Sequence, residues 1–207
     1  MKPLLVEAIG TFFLVLVVGL TVVEPGAGAM APLAIGTMLM VMVYAGGHIS
    51  GGHYNPAVTL AVWLRGKCAS RDVLPYMAAQ LLGAALAASA VKFCKPGSFV
   101  TALEPPVAQA LLVETLFTFA LAYVVLNVAT AKKTAGNSYF GLAIGFTVMA
   151  SAYAAGNISG GAFNPAVAVG ITLIGLSAAK SLWIFVAGNL AGGALAAWVF
   201  RQTNPKD

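Results

Sequence analysis

One motif occurs twice in this chain. Residues 48–58 read HISGGHYNPAV and residues 157–167 read NISGGAFNPAV, so eight of eleven positions are identical at an offset of 109. The same offset relates residues 33–36, LAIG, to residues 142–145. Agreement of separate blocks in one order indicates an internal duplication rather than a chance match of Gly- and Ala-rich segments.

The duplication extends to two acidic residues. Glu7 corresponds to Glu114 at an offset of 107, which requires a two-residue insertion or deletion between the acidic residue and the motif. We therefore predict one domain over residues 1–207, made of a first repeat at about 1–96 and a second at about 107–203.

The composition indicates lipid as the main solvent. Hydrophobic residues make up 60% of the chain and charged residues only 8%, whereas soluble domains carry about 25% charged residues. Hydropathy and helix breakers predict an all-α membrane protein. The six predicted transmembrane helices lie at about 4–23, 32–47, 74–93, 107–129, 139–155 and 179–201. Two shorter apolar pieces, at about 56–64 and 165–176, are predicted to be re-entrant half-helices.

An odd number of spans in each repeat inverts the second repeat relative to the first. With both termini in the cytoplasm, eight basic residues lie inside and three outside, which agrees with the positive-inside rule. The inner set is Lys2, Arg65, Lys67, Arg71, Lys132, Lys133, Arg201 and Lys206. The outer set is Lys92, Lys95 and Lys180.

Each half-helix starts with Asn-Pro, a pair suited to a helix N-terminus, because Asn caps free N–H groups and Pro lacks one. Two half-helices entering from opposite faces should meet near mid-membrane, where their positive ends repel cations. The Ile-Ser-Gly-Gly segments before them are predicted to be extended backbone that lines the pathway. The amides of Asn55 and Asn164 are predicted to donate to a passing water.

These features resemble the aquaporin, or major intrinsic protein, family. The resemblance rests on twin Asn-Pro-Ala boxes, each preceded by Ser-Gly-Gly, in repeats that each carry a Glu in the first helix. It implies an hourglass pore in each subunit and a homotetramer. We expect the protein to lie in a prokaryotic cytoplasmic (inner) membrane, with both termini in the cytoplasm. The implied pore motifs are Asn55, Pro56, Ala57, Asn164, Pro165 and Ala166.

Four further residues are candidates for supporting the pore. Glu7 and Glu114 would accept hydrogen bonds from the re-entrant loops; the alternative is that each lies near enough to a helix end to reach the interface. By resemblance, His48 braces the loop and His53 lines the cytoplasmic vestibule. A metal site at this pair is not predicted, since no Cys or carboxylate lies nearby in sequence.

The chain departs from the family where a filter is expected. The resemblance places the filter at Ile35, Ala152, Gly161 and Val167, and Val167 replaces the Arg that most members carry after the second box. Ala168 stands where glycerol-type members carry Asp. Such a filter lacks charge and bulk.

We therefore predict a passive channel for water and small uncharged solutes that is wider and more apolar than water-specific channels. Candidate solutes are glycerol, urea, hydrogen peroxide, ammonia and neutral metalloid hydroxides such as arsenous acid. The alternative is a secondary transporter with inverted repeats. No constellation of catalytic residues indicates an enzyme, and no cofactor or nucleic-acid partner is expected. The roles of Cys68 and Cys94 stay open.

Overall fold

The structure is a computed structural model that describes residues 1–98 and 100–207. Its longer helices are α1 Lys2–Val22, α2 Ala31–Ser50, α3 Pro56–Leu64, α4 Ser70–Cys94, α5 Val107–Val125, α6 Phe140–Ser159, α7 Pro165–Ile174 and α8 Leu182–Thr203. All of these except α3 and α7 belong to segments long and apolar enough to cross a membrane. The prediction of six spans and two half-helices in an inverted repeat is confirmed.

The helix ends differ from the prediction in ways that the caps explain. Helices α2 and α6 continue through the Ile-Ser of the motif, so the prediction of extended backbone there is wrong. Gly51 and Gly160, with φ of 90° and 95°, end them in the left-handed conformation that glycine adopts readily. Helix α4 starts at Ser70 instead of residue 74, and Pro75 lies inside it as its sixth residue, where it cannot donate the usual hydrogen bond to the carbonyl of Arg71.

Contacts between loops divide the surface into two faces. On one, which we call the terminal face, Arg65 follows α3 and forms a 3.2 Å ion pair with Asp207 near the end of the chain. On the opposite face, the Lys95 side chain donates to the carbonyl of Pro25 at 2.8 Å. The three basic residues assigned to the outside in the sequence lie next to or within the loops of this opposite face.

The repeats interlock through their half-helices. Helix α1 packs against α4, and its counterpart α5 packs against α8. Each half-helix, however, packs more extensively on the other repeat, α3 on α8 and α7 on α4. A methyl group on Gly193 of α8 would lie 2.5 Å from the carbonyl oxygen of Ala57, so glycine is needed for this approach.

A second close approach joins α2 to α6. A methyl group on Gly36 would lie 2.6 Å from both the carbonyl oxygen of Gly145 and Cβ of Met149. Small residues at such crossings let transmembrane helices pack by backbone contact. The α2–α6 contact therefore depends on the paired glycines that the sequence repeat shares.

We expect Gly36→Ala to lower the stability of the detergent-solubilised protein by about 1–3 kcal/mol, because overpacking a close helix contact has a cost of this order. Thermal unfolding followed by fluorescence measures the change. Gly156→Ala on α6 is the control, since nothing lies within 4 Å of a methyl group there. Equal melting temperatures for the two variants would contradict this account of the α2–α6 contact.

Candidate functional site

The two Asn-Pro-Ala boxes meet at the centre of the molecule. Asn55 Nδ2 donates to the carbonyl of Phe163 at 2.9 Å, and Asn164 Nδ2 donates to the carbonyl of Tyr54 at 2.8 Å. Each side chain thus bonds the residue that precedes the other box. An amide nitrogen carries two hydrogens, so each Asn retains one for a solute.

Each Asn also caps its own half-helix, as the sequence predicts. Oδ1 of Asn55 accepts from the backbone N–H of Ala57 at 2.8 Å, and Oδ1 of Asn164 accepts from Ala166 at 2.9 Å. Because Oδ1 is engaged with the helix, the amide group faces outward with Nδ2. The caps therefore orient both side chains as donors.

The loops before the boxes are held by the two acidic residues. Glu7 accepts four hydrogen bonds, from the Ser50 hydroxyl at 2.7 Å, the N–H of His53 at 2.9 Å, the N–H of Tyr54 at 2.6 Å and Gln80 Nε2 at 2.8 Å. The side chain is fully buried. We propose a scaffold role for Glu7, because its oxygens are occupied by donors from the loop and from Gln80.

Glu114 repeats the arrangement with one donor fewer. It accepts from the Ser159 hydroxyl at 2.7 Å and from the N–H groups of Ala162 and Phe163 at 3.0 and 2.7 Å. Phe163 and Tyr54 have φ of 47° and 49°, a left-handed conformation that is uncommon outside glycine. In both repeats the carboxylate therefore bonds the N–H of a strained residue directly before Asn.

The two histidines differ in position. His48 is exposed, and within the described residues its side chain makes no hydrogen bond to the loop, so Glu7 and not His48 makes the predicted brace. His53 is buried and lines both the central cavity and a second cavity of about 420 Å³ at the terminal face.

Hydrogen bonds assign the tautomer of His53. The Thr59 hydroxyl donates to the carbonyl of Asn55 at 3.1 Å and accepts from Gln80 Nε2 at 3.0 Å. His53 Nδ1 lies 3.1 Å from the same oxygen and is the donor when the hydroxyl hydrogen bonds the Asn55 carbonyl. The neutral ring thus keeps Nε2 as an acceptor.

This network has no equivalent in the second repeat. At the offset of 109, His53 and Thr59 correspond to Ala162 and Ala168. Polar side chains next to the first box are therefore replaced by alanines next to the second. Sequence reasoning missed Thr59 and Gln80, although Gln80 and Asn189 occupy equivalent positions in the repeat and are both amides.

All four predicted filter residues, Ile35, Ala152, Gly161 and Val167, line one central cavity of about 310 Å³ together with both boxes' Asn residues. Among the described residues that line it, His53 is the one ionisable side chain. Val167 is 5% exposed, and its N–H bonds Asn164 Oδ1 at 3.4 Å. A lining of this kind offers hydrogen-bond partners at the centre and hydrocarbon at the predicted filter.

The two cysteines lie apart. Cys68 follows α3 and lines the terminal-face cavity with Asp72 and Tyr76. Cys94 ends α4 and is exposed on the opposite face. They therefore cannot pair within one chain.

We expect Glu7→Gln to destabilise the protein strongly. The NH₂ group of the new Gln side chain would face N–H and O–H donors and leave them without an acceptor, and each unsatisfied buried group costs about 1–3 kcal/mol. Glu114→Gln should also destabilise the protein, because the Ser159 hydroxyl and the N–H groups of Ala162 and Phe163 donate to that carboxylate. Melting temperatures and the folded yield measure both effects, with Glu24→Gln in an exposed loop as the control. Unchanged stability of Glu7→Gln would contradict the scaffold role.

Comparisons with known proteins agree with this architecture. The family model for major intrinsic proteins matches residues 1–200. Aquaporin NIP1-1 of Zea mays is 36% identical over 97% of this chain and 74% of its own length. The glycerol uptake facilitator protein-like 6 of Lactiplantibacillus plantarum is 36% identical over 100% of both chains.

A solved structure shows the same fold. The aquaglyceroporin from Plasmodium falciparum superposes with a TM-score of 0.79, at 19% identity, over 99% of this chain and 96% of that one. The chain belongs to the major intrinsic protein family of membrane channels.

Proposed function

We propose that this protein is a passive channel for water and small uncharged solutes. One observation supports this proposal most directly. The paired Asn residues line the same cavity as Ile35, Ala152, Gly161 and Val167. Two amide donors at the meeting point of two helix N-termini suit a neutral solute with an acceptor oxygen and disfavour cations.

We assign the filter role to these four residues. Three of the four side chains are apolar and the fourth position is glycine, so the filter selects by size and by the cost of removing hydration rather than by charge. Glycerol, urea, hydrogen peroxide, ammonia and neutral metalloid hydroxides such as arsenous acid are the solutes that such a filter would admit. The name of one relative, a glycerol uptake facilitator-like protein, supports the wider range.

A secondary transporter with inverted repeats is the competing function. Coupled transport usually needs ionisable groups that bind an ion near mid-membrane. In the described lining of the central cavity, His53 alone is ionisable, while Glu7 and Glu114 are occupied by the loops. Flux that rises linearly with the solute gradient and needs no ion gradient separates the channel from the transporter.

We also propose that the terminal face is cytoplasmic in a prokaryotic inner membrane. The eight-to-three distribution of basic residues between the faces and the bacterial relative support this orientation. Family membership supports a homotetramer with a pore in each subunit. Residues 1–96 and 107–203 would then be the two repeats of one channel domain.

The direct test is osmotic shrinkage and re-swelling of proteoliposomes, followed by light scattering, with water, glycerol and urea. We expect all three permeabilities to exceed those of protein-free liposomes. Permeabilities equal to those of lipid alone, for correctly folded protein, would overturn the channel.

Val167→Arg should narrow the filter and add up to five hydrogen-bond donors. We expect glycerol and urea permeability to fall by about tenfold, a barrier increase of about 1.4 kcal/mol, while water falls less. Val167→Leu is the control that adds bulk without charge. Equal proportional losses for water and the larger solutes would place the narrowest point elsewhere.

Cys68 offers a test of where the pathway opens. We expect a maleimide applied from the terminal face to reduce water flux, because Cys68 lines that cavity, whereas modification of exposed Cys94 should leave flux unchanged. Burial raises the pKa of the Cys68 thiol, so the reaction should become faster as pH rises through and above the usual thiol range. Cys68→Ser should abolish the block. Persistent flux after full modification would exclude this cavity from the pathway.

A further inference from the structure

The linker between the repeats crosses the opposite face and is fixed there. Leu103 N donates to the carbonyl of Leu176 at 3.0 Å, and Ala178 N donates to the carbonyl of Leu103 at 3.1 Å. The neighbouring Glu104 forms an ion pair of 2.6 Å with Lys180. We call residues 101–104, held in this way against residues 176–178, the strap.

The side chain of Leu103 belongs to the solute path that the proposed function implies. It lines the central cavity together with the filter residues. A methyl group on Gly160 would lie 3.3 Å from Leu103 Cδ2, so the side chain sits against the residue just before Gly161 of the proposed filter. The strap therefore places a branched hydrocarbon side chain at the outer edge of the cavity.

Ser177, which pairs with Leu103 of the strap, adds no polar surface to the cavity. Ser177 also lines the cavity region, but it is only 3% exposed. Its hydroxyl is buried and has no hydrogen-bond partner among the described residues. A solute that enters from the opposite face thus contacts Leu103 rather than the Ser177 hydroxyl.

We propose that Leu103 is a specificity-determining residue, which forms an apolar constriction in series with the four-residue filter. This inference rests on the proposed channel function and deepens it. Ala152 and Gly161 leave room in the filter, and Leu103 takes up part of that room from outside. Because hydrocarbon cannot replace the water around a solute, a solute with an apolar edge passes Leu103 at less cost than a strongly hydrated one of the same size.

Shortening and enlarging the side chain test this role. Leu103→Ala should raise glycerol and urea permeability relative to water by at least about fourfold, since one methylene group in the barrier corresponds to a rate change of about this size. Leu103→Trp should lower the same ratios. Leu116→Ala is the control, because Leu116 is 52% exposed on α5 and does not line the cavity.

The proposal is supported if the ratio of glycerol or urea permeability to water permeability rises in Leu103→Ala and falls in Leu103→Trp. Ratios in both variants equal to those of Leu116→Ala would overturn it. Melting temperatures of all variants show whether a lost flux comes from misfolding. If Leu103→Trp does not fold, an unchanged ratio in Leu103→Ala still overturns the proposal.

A thiol at the same position gives an independent measurement. In a Cys68→Ser and Cys94→Ser background, Leu103→Cys should react with a membrane-impermeant maleimide from the opposite face, and the reaction should block glycerol flux. High glycerol concentrations should slow the reaction, because solute and reagent compete for the same space.

Ala102→Cys is the matched control, an exposed neighbour in the strap that does not line the cavity. It should react without a block and without protection by glycerol. If Leu103→Cys and Ala102→Cys show the same block of glycerol flux and the same protection by glycerol, the proposed role of Leu103 is overturned. The proposed channel function would still stand. Wild-type permeability at the level of lipid alone would instead overturn the proposed function.

Discussion

The structure depends on a buried carboxylate in each repeat that accepts hydrogen bonds from a loop at membrane depth. Backbone outside a helix is costly there unless its polar groups find partners inside the protein. Glu7 and Glu114 supply those partners, and they bond the N–H groups of Tyr54 and Phe163, whose left-handed conformation turns the chain into the half-helix. The positions of these two turns determine where the half-helices begin and are capped. They therefore also determine where the two boxes meet and where the cavity lies.

The duplication keeps the support of the pore and varies its lining. Both repeats share the carboxylate, the serine hydroxyl bonded to it and the capping Asn. The side chains next to the boxes differ, with His53 and Thr59 in one repeat and alanines in the other. The two repeats thus share the hydrogen bonds that hold their loops and differ in the side chains next to the boxes.

Most of the fold could be predicted from the sequence because the repeat, the hydropathy and the Asn-Pro caps are local signals. The helix ends could not, since Ile49 and Ser50 extend α2 only because Gly51 adopts the left-handed cap. The four positions proposed as the filter came from counting along the family motif, and all four line the central cavity. Leu103 was not predicted, because it belongs to the linker outside both repeats, and its contact with residues 176–178 is a tertiary pairing with no local pattern.

The reciprocal bonds of the two Asn residues bear on how flux through such a protein is controlled. Each half of the molecule holds a polar group of the other, so the middle of the pathway cannot change shape without breaking both bonds and separating interlocked half-helices. A gate at the centre would therefore have to disrupt the fold itself. Control of flux would act more readily at an end of the pathway, for example at the strap, which is held by two backbone hydrogen bonds and the exposed Glu104–Lys180 ion pair.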